Sequence, residues 1–196
     1  LSAHPQNTDL SLKFVGKTLG APLWISSMTG GNKEAELINK RLATVANEFG
    51  LGIGLGSCRA LLENKKCFNS FNLRPLLGKE LPLYANLGLA QIEKLLKAKE
   101  QDKVAQMLDM IEADGLFIHI NPMQEWLQPE GDRFERPALE TIQEFLEKTK
   151  VKVIVKEVGQ GMGPKSLNAL LRLPLEAIEF AAFGGTNFSK LEILRS

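Results

Sequence analysis

Six short apolar stretches recur along the chain, and each is followed by a polar turn. They occupy residues 22–28, 51–56, 81–86, 115–121, 151–158 and 175–182. Apolar runs of this length are typical of strands that are buried on both faces, as in a parallel sheet. Stretches between them repeat apolar residues at helical spacing, for example Leu37, Ile38, Leu42, Val45 and Phe49. The alternation predicts successive β/α units and therefore a parallel α/β fold.

Two architectures are compatible with six such units. A TIM (β/α)8 barrel typically takes about 250 residues and eight units, so this chain would cover about the first six. The alternative is a doubly wound sheet of six strands. No G-x-G-x-x-G motif follows the first stretch, and GQGMG at 159–163 has the wrong spacing for a dinucleotide site. We therefore predict a partial TIM barrel, with residues 1–20 as an extended or hairpin lead-in and residues 21–196 as the barrel domain.

The composition excludes several classes of function. Lysine and arginine total 24 against 23 for aspartate and glutamate, so the net charge of +1 offers no field for nucleic acid or an anionic membrane. No apolar run approaches the ~20 residues of a membrane span. Two cysteines, Cys58 and Cys67, are too few for a disulfide framework or a four-cysteine zinc site. We expect reduced thiols in a cytoplasmic protein.

Polar residues stand at the carboxyl end of every predicted strand, where a parallel barrel places its chemistry. In chain order the strands end in or lead into Ser26, Ser27, Met28 and Thr29; Ser57 and Arg59; Asn86; His119 and Asn121; Lys156; and Gly184, Gly185 and Thr186, so each end includes a hydrogen-bonding or charged group. Lys156 is the least ordinary, because it lies in an otherwise apolar strand. It either extends to solvent at the rim or faces an anion in the barrel mouth. His119 is either a hydrogen-bonded core residue or an acid/base group.

The most informative segment is GLFIHINPMQEWLQPEGD at 115–132. We predict a strand that ends near Asn121 and breaks at Pro122 into a loop. That loop carries amides and carboxylates, namely Gln124, Glu125, Gln128, Glu130 and Asp132. The carboxylates are either solvated or bind a hard cation, and magnesium typically uses only one or two protein carboxylates plus substrate phosphates. On residues alone, the chain reads as an α/β-barrel enzyme that binds a phosphorylated ligand.

The motifs also carry a resemblance to a known family. MTGG at 28–31, GSCR at 56–59, ANLG at 85–88, HINPMQE at 119–125, QPEGD at 128–132, VKEVG at 155–159 and GGT at 184–186 follow one another in this order. Together they resemble type 2 isopentenyl-diphosphate isomerase, the flavin-dependent form, over residues 10–192. The resemblance implies a TIM barrel that interconverts isopentenyl and dimethylallyl diphosphates in isoprenoid biosynthesis. It also implies FMN, a divalent metal that is usually Mg2+, and NADPH as the reductant of the flavin.

The resemblance further implies roles for individual residues. FMN would be lined by Met28, Thr29, Ser57, Asn86, Lys156 and Thr186. The diphosphate substrate would be held by Arg59, His119, Asn121 and Gln124. Glu125 would bind the metal, and His119 and Gln124 would be the catalytic pair, with Gln124 positioning substrate because an amide is a poor base. We also expect the protein to form a homo-oligomer.

Three features depart from the family pattern. Cys58 replaces the usual glutamine, no Arg-Lys pair precedes Leu10, and nothing corresponds to strands seven and eight, which carry the loops for the FMN phosphate. An open six-stranded piece would expose an apolar edge, so we expect these residues to be part of a longer native chain. Two other functions stay open: a flavin-dependent hydroxy-acid oxidase or dehydrogenase, and a non-catalytic degenerate barrel that binds a phosphorylated metabolite.

Overall fold

The computed structural model describes residues 8–181 and 187–195, and its centre is a curled parallel sheet of six strands. An antiparallel hairpin of β1 (Leu12–Phe14) and β2 (Lys17–Leu19) precedes it. The sheet strands are β3 (Trp24–Ile25), β4 (Gly52–Gly54), β5 (Leu83–Gly88), β6 (Gly115–His119), β7 (Val153–Lys156) and β8 (Ala177–Glu179). Each strand pairs in parallel with the next along the chain. This order confirms the partial barrel, because in a doubly wound sheet the spatial order of the strands reverses at a switch point.

Helices follow the strands on the outer side of the sheet. They are α1 (Lys33–Phe49), α2 (Arg59–Glu63), α3 (Phe68–Phe71), α4 (Arg74–Leu77), α5 (Leu89–Lys97), α6 (Asp102–Met110), α7 (Pro122–Leu127), α8 (Ala138–Lys148), α9 (Pro164–Leu170) and α10 (Phe188–Arg195), with a 3-10 turn at Lys65–Cys67. The longest, α1, begins where the Asn32 side chain accepts the N–H of Ala35 at 2.8 Å. It ends at Gly50, whose φ of 65° is the left-handed conformation of a helix C-cap.

The prediction of a loop after Pro122 was wrong, because residues 122–127 form the short helix α7. A proline inside a helix removes a hydrogen bond, but at the first position the N–H has no partner to lose. Pro122 therefore starts the helix and does not break the chain into a loop. As a result, Gln124 and Glu125 are held on a regular element.

Alternation along the strands separates two apolar layers. Outward residues, such as Ile53, Leu83, Leu116 and Val153, join the large core beneath the helices. Inward residues form a smaller cluster around Trp24, Tyr84, Phe117 and Ile154. The Trp24, Tyr84 and Phe117 rings meet edge to face with centroids 5.7–6.0 Å apart. Gly52 and Gly115 make room for them, because an added Cβ would lie 2.2 Å from the Trp24 ring and 2.4 Å from the Tyr84 ring.

The hairpin is attached to the amino-terminal side of the sheet. The ring centroids of Phe14 and Trp24 are 5.7 Å apart, and Lys17 Nζ lies 2.6 Å from Asp114 Oδ1. The other Asp114 oxygen accepts hydrogen bonds from Arg74 at 2.6 Å and from the Leu83 N–H at 2.8 Å. Burial alone would raise the pKa of Asp114, but these bonds outweigh it and lower the pKa below its usual value. Within the described residues, no helix is long and apolar enough to cross a membrane.

Candidate functional site

A polar layer lies directly above the inward aromatic cluster, toward the carboxyl ends of the strands. It arises because inward positions recur every second residue, so each polar residue stands two places after an apolar one. The layer comprises Ser26 on the chain after β3, Asn86 on β5, His119 on β6, Lys156 on β7 and Glu179 on β8. His119 and Glu179 both stand directly opposite Lys156 in the strand register. The carboxyl ends of the strands therefore bring these side chains to one place.

A cavity of about 140 Å³ opens at this layer. It is lined by Ser27, Met28, Gly56, Ser57, Asn86, His119, Gln124, Lys156, Val158 and Phe188. Six of these were predicted as site residues from the sequence: Met28, Ser57, Asn86, His119, Gln124 and Lys156. A larger and mostly apolar cavity of about 490 Å³ lies between α8 and α9, and no residue of the polar layer lines it.

His119 forms the floor of the cavity together with Asn86. The Nδ1 atom of His119 lies 2.6 Å from Oδ1 of Asn86. Burial, with a smaller contribution from the Lys156 ammonium, lowers the pKa of His119 to about 3. The ring is therefore neutral, and with the Asn86 oxygen facing Nδ1, that nitrogen carries the proton while Nε2 keeps its lone pair. A Cβ at Gly88 would lie 2.9 Å from Nε2, so glycine lets the ring lie against the backbone.

Lys156 is buried and does not extend to solvent at the rim. Its Nζ donates to the backbone carbonyl of Glu157 at 2.6 Å and lies 3.9 Å from Oε1 of Glu179. Burial lowers the pKa of Lys156, although the Glu179 and Glu157 carboxylates oppose this effect. The lysine thus places a positive charge inside the barrel mouth, close to the neutral His119.

The start of α7 carries a second group of polar residues. Asn121 Nδ2 donates to Gln124 Oε1 at 3.2 Å and to Glu125 Oε1 at 3.0 Å. The other oxygen of Glu125 accepts the backbone N–H of Asp132 at 2.7 Å. One helical turn therefore fixes Gln124 at the cavity and holds the Glu125 carboxylate beside it.

The acidic residues that follow Glu125 do not converge with it. Glu130 is paired with Arg195 at 2.5 Å, and Asp132 accepts bonds from Lys94 at 2.6 Å and Gln91 at 3.2 Å. Over residues 8–181 and 187–195, no group of three or more histidine, cysteine, aspartate or glutamate residues could hold a metal ion. Glu125 alone fits only a metal that takes most of its ligands from phosphate and water, as magnesium does.

Four predicted site residues within the described part of the chain do not line the cavity: Asn121 and Glu125 at the start of α7, Arg59 and Thr29. Arg59 lies at the start of α2 with its side chain half exposed, where it donates to Glu63 at 2.9 Å and lies 4.0 Å from Asp132. The backbone carbonyl of Thr29 accepts the N–H of Gly56 at 3.1 Å, so Thr29 contacts a residue that lines the cavity. Thr186, with the rest of the predicted GGT turn, lies outside the described residues.

The structure adds two residues that sequence reasoning missed, Glu179 and Glu192, and gives the surroundings of Ser26 and Ser27, which the sequence placed at the end of the first strand. Glu179 belongs to the polar layer, and Ser26 Oγ donates to its Oε1 at 2.6 Å. Glu192 on α10 is buried and accepts bonds from Gln124 at 3.4 Å and Gln128 at 2.6 Å. The Oγ atom of Ser27 is buried without a hydrogen-bond partner in the described part of the chain. Because Ser27 lines the cavity, its hydroxyl is available to a bound molecule.

The described fold is a partial (β/α) barrel of six parallel strands, and the polar layer lies at their carboxyl ends, where such barrels place their sites. Comparison with curated proteins gives relatives named isopentenyl-diphosphate delta-isomerase. The chain is 41% identical over 187 residues to the one from Pelodictyon phaeoclathratiforme, covering 95% of this chain and 52% of that protein. It is 40% identical over 188 residues to the one from Rickettsia akari, covering 96% and 54%. The chain thus spans about half the length of these relatives. No protein-family model matches it.

Solved structures with a similar fold include a mandelate oxidase mutant with the monooxide FMN adduct. Its TM-score is 0.56 at 12% sequence identity, over 86% of this chain and 49% of that one. The same enzyme with (S)-mandelic acid gives a TM-score of 0.57 at 14% identity, over 90% and 53%. At this level of identity the likeness shows the fold alone.

Proposed function

We propose that this protein interconverts isopentenyl diphosphate and dimethylallyl diphosphate with the help of reduced FMN. The observation that carries the proposal is the convergence of Asn86, His119, Gln124 and Lys156 on one cavity. The identity of about 40% to proteins named isopentenyl-diphosphate delta-isomerase supports the same reaction. The type 2 motifs and the flavin come from the resemblance of the sequence and form the finer part of the proposal.

The residues at the cavity suit a flavin. Met28, Ser57, Asn86 and Lys156 line it, and the orphaned hydroxyl of Ser27 offers a further hydrogen bond. At about 140 Å³ the cavity is smaller than the roughly 300–1,000 Å³ of whole ligand sites, so it would take one edge of the ring. Thr29 and Thr186 complete the set in this proposal. Reduced FMN, formed with NADPH, would supply an electron-rich ring that can hold and return a proton.

The protein residues would bind the substrate and exclude water. Moving a double bond requires protonation at one carbon and proton loss at another, through a cation-like transition state. With a diphosphate leaving group attached, such a cation must be kept dry and firmly positioned. Gln124, fixed by Asn121 on α7, would position the substrate. The ring of His119 is neutral and its Nε2 atom carries no proton. An approaching diphosphate would raise the pKa of His119 and favour proton uptake at Nε2.

Two charged residues complete the proposed substrate site. Glu125 would contribute a single carboxylate to Mg2+, which would take its other ligands from the diphosphate and water. Arg59 would have to leave Glu63 to reach the diphosphate, and this exposed pair is weak enough to exchange. Asn121 would hold Glu125 in place.

The test is to incubate the protein with FMN, NADPH, Mg2+ and isopentenyl diphosphate and to look for dimethylallyl diphosphate. Glu125→Gln should need a higher Mg2+ concentration for half-maximal turnover, by about tenfold or more. Glu130→Gln is the matched control, because Glu130 is exposed and paired with Arg195. An unchanged Mg2+ requirement in Glu125→Gln would remove the metal assignment. Absence of the isomer with every component present would remove the function.

The other two functions predict different outcomes. A hydroxy-acid oxidase would bleach its flavin when given a hydroxy acid, and it needs an arginine beside a histidine to bind the carboxylate. None of the described residues that line the cavity is an arginine. A non-catalytic barrel would bind a phosphorylated compound without forming the isomer.

A further inference from the structure

Glu179 connects the two ends of the sheet through the interior of the barrel. It is on β8, the last strand, and its Oε1 atom accepts a hydrogen bond at 2.6 Å from Ser26, which follows the first strand β3. The two residues are 153 positions apart in the chain. Neither belongs to the site residues predicted from the family resemblance.

The same oxygen of Glu179 also faces Lys156. The distance from Oε1 to Nζ is 3.9 Å, which is an ion pair but too long for a hydrogen bond. An ammonium has three N–H donors, and within the described residues the contact to the Glu157 carbonyl occupies one of them. Glu179 therefore supplies negative charge to Lys156 while leaving donors free at the cavity that Lys156 lines.

We propose that Ser26 restrains Glu179 at this distance, so that the carboxylate keeps Lys156 charged without capping its N–H donors. Ser26 and Glu179 are then positioning residues, and the free donors of Lys156 serve an anionic or electron-rich ligand in the cavity. The identity of that ligand as reduced FMN rests on the proposed function. The restraint itself depends only on residues of this chain.

The charges around Lys156 give the proposal a signature. His119 faces it from β6, Glu179 from β8, and Glu157 follows it in the chain. His119 is neutral, and burial lowers the pKa of Lys156 while the two carboxylates raise it. Removing the charge of Glu179 should therefore lower the pKa of Lys156. Removing the hydroxyl of Ser26 should let the Glu179 carboxylate approach the ammonium and raise the pKa of Lys156. A purely structural role would not shift the same group in opposite directions.

The experiment is an NMR titration of the lysine ε-CH₂ and amine signals in the cofactor-free protein, with Lys156→Arg to assign the signal. Glu179→Gln should shift the titration of Lys156 down by roughly one pH unit, as loss of an opposite charge at this range does. Ser26→Ala should shift it upward. Glu176→Gln is the matched control, since this exposed residue precedes the same strand, and it should leave the titration unchanged.

Unchanged titrations in Glu179→Gln and Ser26→Ala, or shifts of the same sign, would overturn the inference. If Glu179→Gln does not fold, Glu179→Asp retains the charge at a greater distance and should give a smaller downward shift. A parallel titration with reduced FMN separates this inference from the proposed function. Ser26→Ala should bind reduced FMN about tenfold more weakly, because the donors are capped. Failure of the unmodified protein to bind FMN would remove the cofactor, while the lysine titrations would still decide the restraint.

Discussion

The loop after β7 is organised around a single carboxylate, and removing that carboxylate is the most direct test of how the site is supported. Oε2 of Glu157 accepts three successive backbone N–H groups, from Gly159 at 2.7 Å, Gln160 at 2.6 Å and Gly161 at 3.0 Å. Gly159 and Gly161 have φ values of 140° and 80°, which L side chains rarely adopt. These conformations turn the N–H groups inward, so the loop closes around Glu157.

The size of the effect follows from the burial of each partner. A hydrogen bond to a charged group contributes about 1.5–3 kcal/mol. Water can replace the bonds of Gln160, which is exposed, and of Gly161, which is half-buried, but it cannot replace that of the buried Gly159. We therefore expect Glu157→Ala to lower the free energy of unfolding by about 3 kcal/mol. Glu157→Gln keeps a neutral acceptor of roughly half the strength and should lower it by about 1 kcal/mol.

Urea unfolding followed by circular dichroism measures both changes as shifts in midpoint at constant slope. Amide hydrogen exchange should show that the N–H groups of residues 159–161 lose protection in Glu157→Ala before the rest of the sheet does. Glu147→Ala removes an exposed carboxylate on α8 and should stay within about 0.5 kcal/mol of the unmodified protein. The reasoning is refuted if Glu157→Ala and Glu157→Gln are equally stable, or if the three amides keep their protection.

Three further results are expected. Burial raises the pKa of Cys58 to about 12, so iodoacetamide should label the partly exposed Cys67 first. Labelling of Cys58 in the folded protein, detected by mass spectrometry, would contradict this. The pKa of His119 is lowered from 6.5 to about 3, so its NMR signals should not titrate between about pH 5 and 8, and the stability that it contributes should be present above pH 6.5 and lost as the pH falls toward 3. Asp114→Asn leaves the buried Arg74 without its carboxylate and should destabilise the fold by about 3 kcal/mol at pH 7; because the pKa of Asp114 is lowered from 3.8, urea unfolding should show the difference from the unmodified protein shrinking below that pH.

The sequence was sufficient for the architecture because strand patterns are local. Each apolar stretch, followed by a helical pattern, predicts one β/α unit, and the structure pairs these units in chain order. Lys156 could be singled out because a charge in an apolar strand is unusual. The same signal was present at Glu179, which follows Ala177 and Ile178, but the alternation of inward and outward residues was not used to place Glu179 inside the barrel.

Other parts of the site depend on packing, which no local pattern contains. Pro122 is compatible with a loop or with a helix start, and the choice is made by the residues that follow it. Arg59 was predicted at the substrate but is paired with Glu63, four residues later on the same helix. Glu192 contacts Gln124 and Gln128 because α10 packs against α7, and the sequence of residues 187–195 does not predict these partners.

The strands of the sheet are arranged in the order in which a ribosome would deliver them. No strand from β3 to β8 has to wait for a later segment to be inserted between it and its predecessor. Growth of the sheet during synthesis can therefore proceed by successive addition, in keeping with amino-terminal parts forming first. The contact between Ser26 and Glu179 is an exception to this local assembly, because its two halves emerge 153 residues apart. A nascent chain would thus contain Lys156 before the Glu179 carboxylate that faces it has been synthesised.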